Sequence, residues 1–231
     1  MCLNSNKTKL WISLVPLLIL CIFSLTLTFT FKTTASSGLV VVIDAGHGGS
    51  DGGVKGVKSG ISEAELNLKV AYTLKSMFEE RGAKVVLTRR DNLIFPEGNG
   101  SKREDFNNRK ELILNTKPDF VISIHQNKFP DASRRGAQVF FNKNDANGIA
   151  LARAVQDKLN KINEVEVGRK FSALKGDYFI LNCSNYPSCI VECGFLSNPL
   201  DDELLNNEDY QKRLAEAILE GAYSYFSESN L

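Results

Sequence analysis

The sequence contains little histidine, tryptophan or methionine, and it has no excess of charge of either sign. It has two histidines, one tryptophan and two methionines in 231 residues, and 28 basic against 27 acidic residues give a net charge of +1. Without a basic excess, a nucleic-acid-binding protein is not expected. With 43% hydrophobic and 24% charged residues, the composition excludes a disordered or fibrous chain and predicts a globular protein with a hydrophobic core.

Cysteine is also scarce, and its spacing is not that of a structural metal site. Cys183, Cys189 and Cys193 are the three that follow the N-terminal region, so they cannot all pair in disulfides. They form no Cys-x-x-Cys pair and have no histidine nearby in the sequence, which argues against a zinc knuckle. We therefore expect them to be buried free thiols.

One long hydrophobic segment lies near the N-terminus. The stretch from Leu10 to Phe31 has no charged residue, and Lys7 and Lys9 precede it. About 20 apolar residues span a bilayer, and basic residues before such a segment keep the preceding tail in the cytoplasm. A cleaved signal peptide, which would release a secreted domain, is the alternative. The pattern predicts a cytoplasmic tail at 1–9, a transmembrane anchor or signal segment at 10–31, a linker at 32–38 and one exported domain at 39–231.

The exported domain alternates apolar strands with amphipathic helices. Leu39 to Asp44 is typical of a strand buried on both faces, and Ser62 to Glu65 is a capping box that starts a helix ending near Arg81. This alternation predicts a single α/β domain with a mostly parallel twisted sheet of about six strands flanked by helices. Further strands are expected at 84–88, 119–125, 137–141, 178–181 and 188–193, and further helices at 105–115, 146–161 and 209–226.

Side chains able to bind metal fall near one edge of this sheet. His47 follows the first strand, His125 ends the third, and Glu63 lies in the first turn of a helix that starts from the same edge. Ligands bind beyond the carboxyl ends of the strands in open α/β sheets. Two imidazoles and a carboxylate are the donor set of a catalytic zinc site with one position left for water. Taken singly, His47 could be a loop residue, His125 a core histidine and Glu63 a helix-dipole partner.

A second carboxylate reaches the same edge within an apolar strand. Glu192 lies between Cys189 and Cys193, where a charge is costly unless it is paired or close to a metal. One interpretation is a buried salt bridge to Arg89 or Arg109. The functional interpretation is a general base for water that then donates a proton to a leaving nitrogen.

Four short motifs, in order along the chain, carry a likeness to a known family. They are Asp44–Gly53, Glu63–Leu68, Ser123–Asn127 and Tyr186–Asn198. Together they resemble the motifs of the zinc-dependent N-acetylmuramoyl-L-alanine amidases, the AmiC-like peptidoglycan amidase family. The resemblance extends from about Leu39 to Phe226, and weaker matches occur at Thr88–Arg89, Arg109 and Arg135–Gly136.

The resemblance implies a reaction and a role for each residue. The reaction is hydrolysis of the amide between the lactyl group of N-acetylmuramic acid and L-alanine in peptidoglycan. Glu192 corresponds to the catalytic carboxylate. The implied Zn²⁺ ligands are His47, Glu63 and His125. Roles in binding substrate or supporting the site are expected for Asn127, Asn198, Arg89 and Arg109.

Two of the departures from the family pattern concern the cleft and its control. Gln126 occupies a position that is usually small, and a bulkier side chain there is expected to change the cleft or the metal affinity. The segment Lys128–Arg135 is short, so the autoinhibitory helix of some cell-division amidases is expected to be missing. Any control would then come from elsewhere, such as a protein activator.

A single anchor, a bare catalytic domain and no wall-binding repeats resemble the germination-specific amidases of spore-forming bacteria. Those enzymes remove stem peptides from spore-cortex peptidoglycan, a step towards muramic-δ-lactam. The resemblance implies an enzyme anchored in the membrane, with its catalytic domain in the cell envelope or the forespore intermembrane space. A vegetative cell-separation amidase is the nearest alternative, and a different zinc hydrolase such as a wall carboxypeptidase is a further one.

Overall fold

The computed structural model describes residues 38–91 and 101–229, in which six strands form one sheet with helices on both faces. β4 runs antiparallel to β6 and β5 lies beside β4, whereas β1, β2, β3 and β6 are mutually parallel. The spatial order is β2-β1-β3-β6-β4-β5. The predicted α/β class and strand number are confirmed. The strands are β1 (Val40–Ala45), β2 (Lys84–Leu87), β3 (Phe120–Asn127), β4 (Gln138–Phe141), β5 (Leu174–Lys175) and β6 (Ser188–Phe195).

The helices connect these strands, and the first of them begins as its capping sequence predicts. The Ser62 hydroxyl accepts a hydrogen bond from the Glu65 amide at 3.4 Å, which satisfies one of the unpaired amides at the helix start. The helices are α1 (Glu63–Glu80), α2 (Lys102–Thr116), α3 (Ala146–Glu166), α4 (Phe179–Asn182), α5 (Pro199–Leu205) and α6 (Glu208–Ser229).

Successive strand residues point to opposite sides of the sheet, so each face buries a core of its own. The two cores differ in size. Val41 and Ile43 of β1 belong to the larger core, which α1, α3 and α6 complete. Val42, between them, belongs to a smaller core that α2 and α4 cover. A Cβ added at Gly221 of α6 would lie 2.4 Å from the Val155 Cα of α3, so these two helix backbones approach closely. Ile180 and Ile190 of the smaller core also line a cleft at the carboxyl edge of the sheet.

Several predicted elements need correction. Residues 178–181 were expected to form a strand, but Phe179–Asn182 is a single helical turn. The short edge strand β5 and the helix α5 were not predicted, and α3 continues to Glu166 instead of ending at 161. Residues 128–135 contain no helix, as expected from their length. Cys183, Cys189 and Cys193 are buried free thiols, which confirms the expectation for them.

The predicted cytoplasmic tail, the anchor or signal segment at 10–31 and most of the linker at 32–38 lie outside the described residues. Among the helices within 38–91 and 101–229, none has the length and apolar character needed to cross a bilayer.

Candidate metal centre and catalytic site

The loop after β1 places His47 over the carboxyl edge of the sheet. The Gly46 amide donates to the Ile124 carbonyl at 3.0 Å, which extends the pairing of β1 with β3 beyond the strand. His47 then has a φ of 60°, a left-handed conformation that is uncommon for a residue other than glycine and that tends to occur at functional sites. Arg109 Nη2 donates to the His47 carbonyl at 2.8 Å and so fixes the loop from the side of α2.

Glu63 is the common neighbour of both histidines. Its Oε1 lies 3.0 Å from His125 Nδ1 and 3.2 Å from His47 Nε2. One donor atom from each of the three residues lies within 4.8 Å of the other two. Donors that share a tetrahedral metal ion at about 2.0–2.2 Å are separated by roughly 3.3 Å, so this group fits one divalent ion.

Backbone amides and a further carboxylate hold this donor group in place. The Val54 amide donates to Glu63 Oε2, and the Gln126 amide donates to Oε1, each at 3.1 Å. Asp51 Oδ1 lies 3.0 Å from His47 Nδ1, the nitrogen that faces away from Glu63. A carboxylate on the second nitrogen of a metal-binding histidine orients the ring and increases its basicity. The site therefore has outer contacts of the kind that metal centres use.

The charges within the group shift its pKa values in opposite directions. Burial acts to raise the pKa of Glu63, but hydrogen bonds from His125 and His47 outweigh burial and hold that pKa well below its usual range. Burial acts to lower the pKa of His47, but Glu63 and Asp51 outweigh it and raise that pKa. The carboxylate therefore stays ionised at neutral pH, which is the form that binds a cation.

Gly46 leaves space that the site needs. A Cβ at this position would lie 2.1 Å from His125 Nε2, so the imidazole occupies the volume that any other residue would fill. Gly46 also accepts, through its carbonyl, a hydrogen bond from Asn67 Nδ2 at 3.0 Å. Asn67 in turn accepts one from Gln126 Nε2 at 3.2 Å. The Gln126 side chain is thus buried under the loop and does not line the cleft, so the expected change in cleft shape is not observed.

Glu192 lies directly beside His125, because β6 pairs with β3 in a register that matches these two residues. Burial raises the pKa of Glu192 to about 7, although His125 acts to lower it. Its buried Oε2 has no hydrogen-bond partner in the part of the chain that the structure describes. The alternative of a salt bridge to Arg89 or Arg109 is therefore wrong. An unpaired carboxylate beside a metal-binding group, with a pKa near neutrality, can accept a proton and return it.

The two arginines instead support the His47 loop from beneath. Arg89 donates to the carbonyls of Ala45 at 2.8 Å and Ala64 at 2.6 Å. Arg109 forms a buried ion pair with Asp44 and a second pair with Asp105 at 2.8 Å. Both arginines are buried, which fits a role in supporting the site. Arg89 does not line the cleft, so its position does not favour direct contact with substrate. Arg109 also lines the cleft.

The side chains of the two asparagines, for which a role in binding substrate or supporting the site is expected, form hydrogen bonds with nearby backbone groups. The Asn198 side chain caps α5 by accepting from the Leu200 and Asp201 amides at 2.9 and 3.1 Å, and it donates to the Ala132 carbonyl at 2.6 Å. Asn127 Oδ1 accepts from the adjacent Lys128 amide at 2.8 Å. Neither side chain lines the cleft.

The cleft above the donor group has an aromatic wall that sequence reasoning missed. The rings of Phe106 in α2 and Phe179 in α4 stack with centroids 4.8 Å apart and an interplanar angle of 11°. Tyr178 lines the same cleft and is 42% exposed, and its ring meets Phe140 edge to face at 5.7 Å. No signal in the sequence pointed to this wall, because it depends on the contact between α2 and α4. Asp51, in contrast, lies in the glycine-rich motif around His47, so the sequence does contain a signal for its contact with His47.

Comparison with known proteins identifies the family. Residues 41–223 match the family described as N-acetylmuramoyl-L-alanine amidase. The germination-specific N-acetylmuramoyl-L-alanine amidase of Bacillus subtilis (strain 168) is 36% identical over 197 residues, which are 83% of this chain and 81% of that protein. The chain belongs to the N-acetylmuramoyl-L-alanine amidase family and is an amidase that acts on peptidoglycan. The family match favours this activity over the wall carboxypeptidase considered from the sequence.

Two solved structures are similar to this fold. The CwlD amidase from Clostridioides difficile, determined in complex with the GerS lipoprotein, is 34% identical with a TM-score of 0.74, and the match covers 82% of this chain and 99% of that one. An N-acetylmuramoyl-L-alanine amidase from Clostridium difficile 630 is 30% identical with a TM-score of 0.71, over 82% of this chain and 97% of the other.

Proposed function

We propose that this amidase is zinc-dependent and that it removes stem peptides from spore-cortex peptidoglycan. In this proposal His47, Glu63 and His125 hold Zn²⁺, and Glu192 transfers protons. The observation that carries the proposal is the register of β3 and β6, which sets Glu192 beside His125 while three donor atoms lie within 4.8 Å of one another. Imidazole and carboxylate donors suit zinc, and three protein ligands leave a coordination position open.

The ion, when bound, acts as a Lewis acid that polarises the scissile carbonyl and makes water a better nucleophile at neutral pH. Glu192 accepts one proton from the attacking water and then delivers it to the leaving nitrogen as the carbon–nitrogen bond breaks. The products are the lactyl carboxylic acid on the sugar and a peptide with a free amino group on L-alanine. A pKa near 7 suits a group that must both accept and donate.

A muropeptide digest followed by mass spectrometry tests the chemistry. We expect new peptides that begin with a free L-alanine amine, and we expect Glu192→Gln to slow their release by about 10²–10⁴-fold while the zinc content is unchanged. His125→Ala is the complementary variant, which is expected to lose zinc as measured by elemental analysis. Full activity of Glu192→Gln would show that another group moves the proton, and full zinc content of His125→Ala would remove His125 from the ligand set.

The spore-cortex role rests on the likeness to the germination-specific relative. The measurement is the muramic-δ-lactam content of cortex from spores that lack this protein, which we expect to fall. Unchanged lactam together with chains of unseparated vegetative cells would favour the cell-separation alternative. We also propose that residues 10–31 anchor the enzyme with its catalytic domain exported, and recovery of the full-length chain in the membrane fraction would support this.

We further propose that an exported protein partner assists the enzyme. The similar CwlD amidase is described in complex with the GerS lipoprotein, and residues 128–135 of this chain carry no helix that would cover the cleft from within. Affinity purification of the tagged chain from sporulating cells, with and without a cross-linker, checks for such a partner. Equal specific activity of the chain from sporulating cells and of the isolated chain would contradict an activating role.

A further inference from the structure

We propose that an arginine-lined cavity beside Glu192 binds a carboxylate of the acidic stem peptide, so that the peptide extends from the scissile amide towards Arg134 and Arg169. The inference deepens the proposed function and rests on it. It concerns a cavity that is separate from the metal group and is lined by Gln138, Arg134, Arg169 and Phe171, among others.

The sheet register places this cavity next to the reacting centre. Gln138 at the start of β4 pairs with Glu192 of β6, and Glu192 pairs with His125 of β3. The three side chains therefore form a row on one face of the sheet, with neighbouring strands about 4.8 Å apart. Gln138 lines the arginine cavity, so the cavity begins one strand away from the carboxylate proposed to move protons.

The aromatic wall lies on the other side of Glu192. Tyr178 meets Phe140, and Phe140 pairs with Ile190, two residues before Glu192 on β6. Phe195, which lines the arginine cavity, follows Glu192 on the same strand. The scissile amide has a sugar on one side and a peptide on the other. Glu192 therefore has aromatic rings of its own cleft on one side and the separate arginine cavity on the other, which matches that polarity, because pyranose rings have an apolar face and stem peptides carry carboxylates.

The side chains that line the cavity carry a net positive charge, and two of its arginines have no ion-pair partner among the described residues. Its lining has three arginines and one aspartate, Asp131. Arg135 is committed to a buried carboxylate, since its Nε lies 3.0 Å from Asp201 Oδ1. Within the described residues, Arg134 and Arg169 form no ion pair within 4 Å, and their guanidinium groups stack on Phe129 and Phe171 at 4.8 and 4.5 Å. Stacking on an aromatic ring holds a guanidinium in one plane while its N–H groups remain available to a carboxylate.

The reach of an extended peptide can be compared with the spacing of the strands. An extended chain advances roughly 3.3–3.6 Å per residue, so the second and third residues after the scissile amide lie about 7–11 Å from it. That range exceeds the strand spacing of about 4.8 Å between Glu192 and Gln138, the residue of β4 that lines the cavity. The second residue of the stem peptide, a γ-linked glutamate, is the first to offer a free carboxylate.

The experiment compares two N-acetylmuramoyl peptides that differ only in that carboxylate, which is free in one and a carboxamide in the other. With the zinc-loaded full-length chain, we expect the free acid to have a KM about five- to tenfold lower, as for charge-assisted hydrogen bonds at a partly exposed site. Arg169→Gln and Arg134→Gln should each reduce this preference while kcat stays within about twofold. Arg153→Gln is the matched control, because Arg153 is exposed on α3 and does not line the cavity.

Binding of the released acidic peptide, measured by calorimetry, gives a second readout that does not depend on turnover. Weaker binding by Arg169→Gln than by Arg153→Gln would support the subsite. Equal KM values for the acid and the amide, or an unchanged preference in both cavity variants, would overturn it. If the variants lost only affinity for a protein partner, the cavity would be a protein contact and the inference would be wrong. Cleavage of neither peptide by the unmodified enzyme would instead refute the proposed function, and the inference would fall with it.

Discussion

Replacing Asp44 with asparagine tests the buried network that fixes the His47 loop. Asp44 is 2% exposed and accepts hydrogen bonds from Thr88 at 2.7 Å and Ser123 at 2.5 Å, in addition to its ion pair with Arg109. Burial acts to raise the pKa of Asp44, but Arg109 and the two hydroxyl groups outweigh it and lower the pKa from 3.8 to about 2. The carboxylate is therefore more stable ionised in the folded protein than in the unfolded chain.

The size of the effect follows from this shift. A fall in the pKa from 3.8 to about 2 corresponds to roughly 2–3 kcal/mol of folding free energy at neutral pH. Because the folded-state pKa is depressed, this contribution is fully present above about pH 5 and is lost as the pH falls through the folded value near 2, with about half remaining at pH 3. Asp44→Asn also removes one of the two carboxylates that neutralise the buried Arg109, which leaves Asp105 as its remaining ion-pair partner, and breaking a buried ion pair costs about 3–5 kcal/mol.

The assay is urea unfolding of the purified protein at pH 7, 5 and 3, followed by circular dichroism. We expect Asp44→Asn to lose about 3–5 kcal/mol at pH 7, and we expect the gap from the native sequence to narrow towards pH 3, because Asp44 of the unfolded chain takes up a proton below about pH 4 and the unfolded state is thereby stabilised. Asp157→Asn, an exposed change on α3, is the control and should shift stability by less than about 0.5 kcal/mol. A loss below about 1 kcal/mol at pH 7, or a gap that does not change with pH, would refute the reasoning.

Two glycine substitutions are expected to have different effects, one on zinc affinity and the other on the stability of the fold. Gly46→Ala would place a Cβ 2.1 Å from His125 Nε2 and displace the imidazole, so zinc affinity measured by chelator competition should fall by about tenfold or more. Gly52→Ala is its control, because the nearest atom to the added Cβ is 3.7 Å away; equal affinities in the two variants would contradict the role of Gly46. Gly221→Ala would force α6 away from Val155, lowering the free energy of unfolding by about 1–3 kcal/mol in urea titrations while zinc affinity is unchanged. No loss of stability would mean that the helices separate without cost.

The strands and the placement of the site could be predicted because they follow from strong local patterns. The apolar run of β1 and the capping box at Ser62 specify a strand and a helix start from local sequence alone, and tertiary contacts do not override them. Ligands bind beyond the carboxyl ends of the strands in open α/β sheets, and His47 and His125 both lie at that edge although they are far apart in the chain. Glu192 was placed at the same edge by the same rule.

The elements that could not be predicted depend on contacts between distant segments. Residues 178–181 are apolar enough to indicate a strand, but Phe179 stacks on Phe106 of α2, and this contact accompanies a single helical turn with no side-chain cap. The helix α5, in contrast, does have a start signal in the local sequence, although it was not predicted. Asn198 caps it and Pro199 follows at the first helical position, a combination typical of a helix start. The role that the family resemblance implies for Asn198, in binding substrate or supporting the site, does not include this cap.

The position of β6 has a consequence for when the enzyme becomes active. β6 is last among the strands along the described chain, yet it inserts between β3 and β4 in the middle of the sheet. Glu192, the glutamate proposed to transfer protons, therefore lies in a late-synthesised segment that must insert into the middle of the sheet, and such non-local pairing is slow to form. A nascent or truncated polypeptide that ends before Ser188 has the histidines but no Glu192, so the proposed proton transfer becomes possible only after synthesis is nearly complete.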